Sequence, residues 1–476
     1  MATPAAEGLP PTAGSPPAPS PATLSASSLR RGGLVFGASQ MLGLGLGLLS
    51  TILLTKVADP AELGLYFPLI QASISVGLLL QLGLGPATLR FAPLSRGAGG
   101  EAATAWLRRR LIGLQVSIWL LAVPPLALAW PYVTRLAGRP ELANATGFIL
   151  GIAVLGSLGQ LLDAYLRSFR MYAVAAPLTQ IVPRALIVGA LLWLWLATPG
   201  HASWELLATV YTLALMVNLL GYVPALRATT KGETSEPRTA QPPPDVRTIL
   251  GTTTAMGLRG AASILLVYSD VWILSWARPH DLEAVAVYAI AARLIHAMSA
   301  LPAVVGFLVP QEFAMLYADG RKAEMERLAR SASTAVAMAS VVIFAGLLLL
   351  GRPVIGLFFD DLYLQGWGLA LILAVGTLWD TASGSAGFAL QMTGHHTRLL
   401  VLTAGAALLN VALGAPLGRL WGPYGIAVAT TVTLILLNVV MVASARKLVG
   451  VRTFVYFEPA QWKRIFQLLV RREKAA

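Results

Sequence analysis

Apolar stretches of about twenty residues recur along the chain between short polar segments. Twelve can be placed, at 34–55, 63–88, 111–131, 145–166, 172–197, 204–226, 249–276, 285–309, 331–350, 367–392, 398–418 and 422–444. Each is long enough to cross ~30 Å of hydrocarbon at ~1.5 Å per residue. Within hydrocarbon a helix satisfies its own backbone N–H and C=O groups, so the pattern predicts an all-α integral membrane protein with about 12 transmembrane helices. The first 30 residues are Pro, Ala and Ser with almost no charge, and they lack the apolar run of a signal peptide. They are expected to form a disordered tail.

A polar loop at 227–248, with Lys231, Glu233, Glu236, Pro237 and Pro242 to Pro244, divides the spans into two groups of six. The predicted organisation is a cytoplasmic tail over 1–30, an N-terminal six-helix bundle over 31–230, a cytoplasmic linker over 231–248, a C-terminal six-helix bundle over 249–445 and a basic tail over 446–476. Leu63-Gly64-Leu65-Tyr66 after span 1 is echoed by Val285-Ala286-Val287-Tyr288 after span 7. Both lie where the chain re-enters the membrane, which fits a parallel repeat about an axis along the membrane normal. In the tail, Trp462, Ile465, Phe466 and Leu469 fall at i, i+3, i+4, i+7 among Lys463, Arg464, Arg471 and Arg472. That spacing predicts an amphipathic helix lying on an anionic leaflet.

Charge sets the orientation. The formal net charge is +13, and a total that basic raises nucleic acid as a partner. Its placement argues otherwise: 26 of the 35 Lys and Arg fall in loops on the side of the N-terminus, six on the opposite side and three inside spans. This asymmetry predicts that both termini are cytoplasmic. No cysteine is present, so no disulfide or thiolate metal site exists. No Gly-rich loop ending in Gly-Lys-Ser/Thr and no His-Glu-x-x-His occurs, and the outer loops are short. The chain is therefore expected not to be an enzyme and to need no cofactor or metal. His395-His396 reads as a solvated pair on a turn, and Asp360-Asp361 as a helix entry.

A family resemblance rests on an ordered series of motifs. Gly33-Leu34-Val35-Phe36-Gly37-Ala38-Ser39-Gln40 precedes Asp59-Pro60-Ala61-Glu62-Leu63-Gly64-Leu65-Tyr66. Asp270-Val271-Trp272-Ile273-Leu274-Ser275, Ala291-Ala292-Arg293-Leu294 and Pro310 follow. The series ends with Gly387-Phe388-Ala389-Leu390-Gln391, Gly394, Leu409-Asn410-Val411 and Gly422-Pro423-Tyr424-Gly425-Ile426-Ala427-Val428-Ala429-Thr430. Over roughly residues 30–450 this resembles the polysaccharide transporter family, which contains the Wzx-type lipid-linked oligosaccharide flippases. The resemblance implies the fold of the multidrug/oligosaccharidyl-lipid/polysaccharide exporter superfamily, with two six-helix bundles around a central cavity. It implies a protein of the bacterial inner membrane that moves an undecaprenyl-diphosphate-linked oligosaccharide by alternating access. A polysaccharide polymerase or assembly machinery and a coupling proton or sodium ion are the implied partners. Two alternatives share the superfamily: an ion-coupled multidrug antiporter and a lipid II flippase, the latter with fourteen helices.

For such cargo the intramembrane charges are the candidate site, because each is costly unless paired or facing a cavity. Arg259, Arg293 and Arg184 are the candidate pyrophosphate ligands, guanidinium being suited to bidentate contact with phosphate oxygens. Arg259 reads alternatively as a snorkelling residue, and Arg184, after Pro183, as part of a helix kink. Asp270 and Asp380 are the candidate ion-coupling residues; Asp270 reads alternatively as a partner of Arg293, and Asp380, near Thr381, Ser383 and Ser385, as hydrogen-bonded within the bundle. Arg259 and Asp270 are eleven residues apart on one helix face, ~16 Å along the axis, too far to pair. Gln40, Gln71, Gln81, Asn218, Asn410 and Asn438 read as interhelical glue, and Gly43 and Gly47 as packing positions.

Reporter fusions at Lys231 and Lys474 should both report the cytoplasm, and fusions at His201 and Asp361 the opposite side. Reversal of any one of the four breaks the twelve-span topology.

Overall fold

The computed structural model describes residues 26–136, 139–169, 171–197, 200–230, 246–296, 298, 309, 312–313, 315–456 and 461–462; 26–34, 90–91, 93–104, 228–230, 246–256, 258–259 and 296 are described as backbone only. The helices are α1 (Ala26–Val57), α2 (Pro60–Gln81), α3 (Leu84–Leu136), α4 (Thr146–Ser168), α5 (Tyr172–Gln180), α6 (Val182–Ala197) and α7 (Trp204–Thr230). They continue as α8 (Val246–Ala277), α9 (Leu282–His296), α10 (Lys322–Phe358), α11 (Gly366–Ser383), α12 (Ala386–Met392), α13 (His396–Trp421) and α14 (Pro423–Leu448). Among the described residues eleven spans are long and apolar enough to cross a membrane. The remaining expected span, 285–309, is seen as α9, and residues 299–308 lie outside the described residues.

The fold is all-α: about twelve membrane-crossing helices in two bundles around a central cavity. In the first bundle α2 packs on α4, α4 on α3 and α7, and α1 on α5 and α6. In the second, α14 packs on α11 and α13, α13 on α8, and α11 on α9 and α10. Residues 231–245, in the expected linker, and 463–476, which carry most of the expected amphipathic tail helix, lie outside the described residues. α1 already begins at Ala26, within the stretch read as a tail.

Several spans differ from their hydropathy limits. α2 stops at Gln81, because Leu82 (φ 44°) and Gly83 (φ 77°) form a left-handed turn. The apolar run passes straight across this turn, since Leu84 and Ala87 are buried against Leu107 and Leu161. Residues 89–110, expected as a loop, are the start of the 53-residue α3, whose apolar membrane span is Ala105–Leu136. Span 5 is interrupted at Ile181, where Pro183 withholds an N–H from the carbonyl of Thr179. Span 10 is interrupted at Gly384 (φ 71°); a Cβ there would collide with Ser333 Oγ and crowd the Thr453 carbonyl.

The loops after α1, before α7, after α8 and after α10 gather at one face, here the distal face; α1 begins and α14 ends at the terminal face. Gly200 N donates to Lys56 O (3.2 Å), Ala202 N to Val57 O (3.0 Å) and Trp204 N to Glu62 Oε2 (2.7 Å). Asp360, expected only as a helix entry, precedes the 3-10 turn Asp361–Gln365 with no side-chain cap bond. Its carboxylate instead accepts from Lys56 Nζ of the first bundle at 2.7 Å. Both partners are solvated, so this pair contributes ~1 kcal/mol at most.

Apolar burial closes the distal face more firmly. Leu54, Val57, Leu63 and Phe67 of the first bundle form one core with Leu274, Val285, Tyr288, Ile355 and Phe359 of the second. Gly64 lies so close to α9 that a Cβ would collide with the Leu282 carbonyl. Trp130 meets Trp272 edge-on at 6.0 Å. Arg139, only 1% exposed, donates from Nε to Ser275 Oγ and from Nη1 to Pro279 O (2.6 Å). Burial lowers its pKa from the ordinary arginine value, with Glu141 and Asp281 opposing.

At the terminal face the cores separate. Leu84, Leu107 and Leu161, and Leu166, Tyr222 and Ala225, form two clusters within the first bundle. Met325, Ala329, Leu390 and Val449 form another within the second. The bundles therefore share one core distally, whereas the described apolar clusters at the terminal face each lie within one bundle; the bundles still touch there, since Gly257 of α8 lies against the backbone of Leu82.

After α14 the chain turns at Gly450 (φ 80°), continues without regular structure to 456 and crosses the break in span 10. Val455 N donates to Ala382 O (3.1 Å), Thr453 Oγ1 to Ser383 O (3.0 Å) and Ser333 Oγ to Thr453 O (2.9 Å). Arg330 Nε donates to Phe454 O (3.2 Å), and its guanidinium lies 4.0 Å from the centre of the Tyr456 ring. This strap thus satisfies carbonyls that a broken helix leaves without intrahelical donors.

Candidate functional site

A cavity of about 500 Å³ lies within the first bundle and reaches the interface with the second. α1, α2, α4, α5, α6 and α7 line it, and Tyr268 of α8 and Arg293 of α9 complete the wall. Among its described lining residues are two arginines, Arg184 and Arg293, and no carboxylate. The volume falls in the usual range for small-molecule pockets, ~300–1,000 Å³.

Arg184 occupies the break between α5 and α6. Its Nη1 donates to both the backbone O and the side-chain Oε1 of Gln180, each at 2.7 Å. It is therefore both a cavity cation and the group that satisfies a carbonyl at the interruption. One glycine of α1 leaves room for it: a Cβ on Gly43 would stand 2.6 Å from Arg184 Nη1, whereas one on Gly47 would stand in ordinary contact at 3.9 Å from its Cδ. Arg293 lies with its guanidinium carbon 4.5 Å from the centre of the Phe67 ring, a cation–π contact across the two bundles. Tyr66 lies within electrostatic reach of Arg293, and Tyr211 within reach of both arginines.

The remaining lining is aromatic and polar. Tyr66, Tyr211, Tyr222 and Tyr268 face the space with Gln71, Gln160 and Asn218. Gln71 Oε1 and Asn218 Oδ1 are buried without a hydrogen-bond partner among the described residues. Both residues, expected as interhelical glue, line the cavity with these oxygens enclosed. One rim is anchored by Asp163, which accepts from Arg167 Nη2 and Thr179 Oγ1, each at 2.6 Å.

A second cavity of about 380 Å³ lies inside the other bundle, with Asp380, Thr381, Ser385, Ser333, Thr403 and Asn438 among its lining. Asp380 accepts from Asn438 Nδ2 at 2.9 Å, and has no ion-pair partner among the described residues. α8 separates the two cavities, with Tyr268 facing the first and Ser263 and Val267 the second.

The five predicted site residues therefore divide. Arg184 and Arg293 meet at one cavity, and Asp380 opens on the other. The Arg259 side chain lies outside the described residues. Asp270 lines neither cavity: it is buried on α8 and accepts from Tyr288 Oη (2.9 Å) and Asn410 Nδ2 (2.7 Å). Tyr288 and Arg293 are five residues apart, ~140° around α9, so the side that meets Asp270 turns away from the side that meets Phe67. The tyrosines were not singled out from sequence. The available signal was aromatic hydroxyls within spans, such as Tyr211 and Tyr222, eleven residues apart on one face of α7.

A wall of two half-buried cations, phenols and amides, with no acid among its described lining residues, is suited to an anion that also carries hydroxyl groups. The cation–π and backbone contacts of the arginines offset part of their desolvation and leave guanidinium donors for a ligand.

No protein-family model matches the sequence, and no curated protein matches it. Solved structures do match in fold. The chain is similar to the inward-facing conformation of a multidrug resistance MATE family transporter of the MOP superfamily, with a TM-score of 0.70 and 17% identity over 88% of this chain and 98% of that one. It is similar to the lipid II flippase MurJ in an inward closed conformation, with a TM-score of 0.68 and 15% identity over 91% and 90% of the two chains. A MOP superfamily transporter from Pyrococcus furiosus, described as having a binding pocket of reverse polarity, matches with a TM-score of 0.65 and 17% identity over 88% and 96%. The chain shares its fold with these solved structures.

Gly43→Ala should cost ~1–3 kcal/mol, because the new methyl forces Arg184 and the Gln180 carbonyl to move. Gly45→Ala, with nothing within 4 Å of the added Cβ, should be neutral or stabilise by up to ~1 kcal/mol. Thermal unfolding in detergent separates the two; equal midpoints would place Arg184 away from Gly43.

Proposed function

We propose that the protein is a Wzx-type flippase that moves an undecaprenyl-diphosphate-linked oligosaccharide across the bacterial inner membrane for O-antigen, capsule or exopolysaccharide assembly. The observation that carries this reading is the cavity with Arg184 and Arg293 and no acid. A diphosphate and its glycan do not cross hydrocarbon unaided, whereas the polyprenyl tail remains in lipid. In this reading the arginines take the diphosphate, and the tyrosine rings, Gln71 and Asn218 take the sugar.

The terminal face is assigned to the cytoplasm, following the excess of basic loops there. The present arrangement then opens inward. Outward release requires the Gly64–Leu282 contact, the Lys56–Asp360 pair and the Arg139 bonds to part while the separate cores at the terminal face close together. A polymerase or assembly system on the far side would consume the product. A multidrug antiporter of the same fold fits less well, because an acid-free wall with two arginines repels a cationic drug. A lipid II-type substrate shares the anionic diphosphate, and the similarity to MurJ makes it the competing cargo.

The assay is flipping of a short-chain polyprenyl-diphosphate oligosaccharide in proteoliposomes. Arg184→Gln and Arg293→Gln should each lower the rate roughly 10- to 100-fold, as expected for loss of a charge-assisted contact, with protein abundance unchanged. Lysine at either position should give an intermediate rate, since it keeps charge and loses the planar fork. Unchanged flipping in both Gln variants, or transport of ethidium instead of the lipid, sinks the reading.

Asp380 is assigned the coupling proton or sodium ion because it opens on a cavity with one amide partner; Asp270, enclosed by Tyr288 and Asn410, is the second candidate. Asp380→Asn should leave slow equilibration of the lipid intact but abolish its acceleration by an imposed ion gradient. A full response to the gradient in that variant would remove Asp380 from the coupling step.

A further inference from the structure

On the membrane-facing side of the second bundle, α11 and α14 leave a groove of about 570 Å³ near the terminal face. One wall is α14, where Val439, Val442, Ala443, Arg446 and Lys447 fall at i, i+3, i+4, i+7 and i+8, a single stripe. The other wall is Trp379 of α11 with Phe454 of the strap, their rings 5.6 Å apart.

The stripe is graded along its length. Leu436 (47% exposed) and Val439 (46%) lead toward mid-membrane, and Arg446 and Lys447 stand ~10 Å away at the helix end. Neither cation has an ion-pair partner among the described residues. The helix terminus carries roughly half a negative charge, so two full cations exceed what it needs and leave a positive end to the groove. Trp379, 37% exposed, lies where an indole favours the boundary between headgroups and chains. The groove thus has an apolar floor at chain depth and two cations at headgroup depth.

We infer that this groove is a binding site for an anionic phospholipid of the leaflet at the terminal face. Arg446 and Lys447 hold the phosphate, and one acyl chain lies along Val439 and Val442 against Trp379 and Phe454. Because Phe454 belongs to the strap over the span-10 break, the bound lipid ties α14 to that strap. The cargo cavity is in the other bundle, so this site stands apart from the proposed cargo contacts.

The full chain is purified in detergent, and retained or added lipid is counted by native mass spectrometry with phosphatidylglycerol, phosphatidylcholine or inorganic phosphate as the probe. The wild type should retain one phosphatidylglycerol in preference to phosphatidylcholine. In R446Q/K447Q the affinity for phosphatidylglycerol should fall about 30-fold, two surface cations being removed. Ala443→Trp, which fills the groove and keeps both charges, should abolish the same adduct. The double variant R108Q/R109Q, with cations at the same face but outside the groove, should retain it. All variants should keep the wild-type unfolding midpoint without lipid, since the altered residues are at the surface. An equal fall in the two double variants would show general surface attraction and overturn the site. Persistence of the adduct in Ala443→Trp, or protection by inorganic phosphate alone, would overturn it as well.

Discussion

A guanidinium inside hydrocarbon must be given partners or polar space, and much of the first bundle follows from that requirement. Arg184 is held by the Gln180 carbonyl and amide at a proline-made interruption, and α1 supplies Gly43, where a Cβ would collide with it. Arg293 enters from the other bundle and lies on the Phe67 ring. The helices cannot close around these groups as tightly as around leucine, so the bundle remains hollow and its wall is finished by tyrosines and amides.

The second bundle handles acids by the opposite means. Asp270 is enclosed by Tyr288 and Asn410, and Asp380 is met by Asn438. Tyr66 and Tyr288 stand at matching places in the two halves, each shortly after the chain re-enters the membrane. One faces an open cationic cavity and the other donates to a buried carboxylate. The two cavities thus differ in charge, arginines lining the first and an aspartate the second, a difference that a single charge total conceals.

The apolar runs made the number of spans and the all-α fold legible, because hydrocarbon thickness imposes a length that composition reveals. Arg184, Arg293 and Asp380 stood out for the related reason that charge in a span is expensive. The interruptions were harder to see. Leu82-Gly83 and Gly384 are backbone turns inside apolar runs, and hydropathy does not register a φ angle. The Lys56–Asp360 pair joins residues some 300 positions apart, beyond the reach of any local pattern. The sequence leaves Asp270 open between an ion site and a partner of Arg293, because the groups that enclose it come from α9 and α13. Gln71 and Asn218 were indistinguishable from packing amides until their neighbours were known.

The strap over the broken span also bears on how the chain is made. The carbonyls of Ala382 and Ser383 receive Val455 N and Thr453 Oγ1, groups translated some seventy residues later. During synthesis, α11 therefore inserts with those acceptors unmet, and three further helical segments are laid down before the chain returns to cover them. The second half completes its polar bonding only when nearly the whole polypeptide has emerged from the ribosome. A nascent chain stopped at residue 448 has every described helix from α8 to α14 in hand and still lacks this closure.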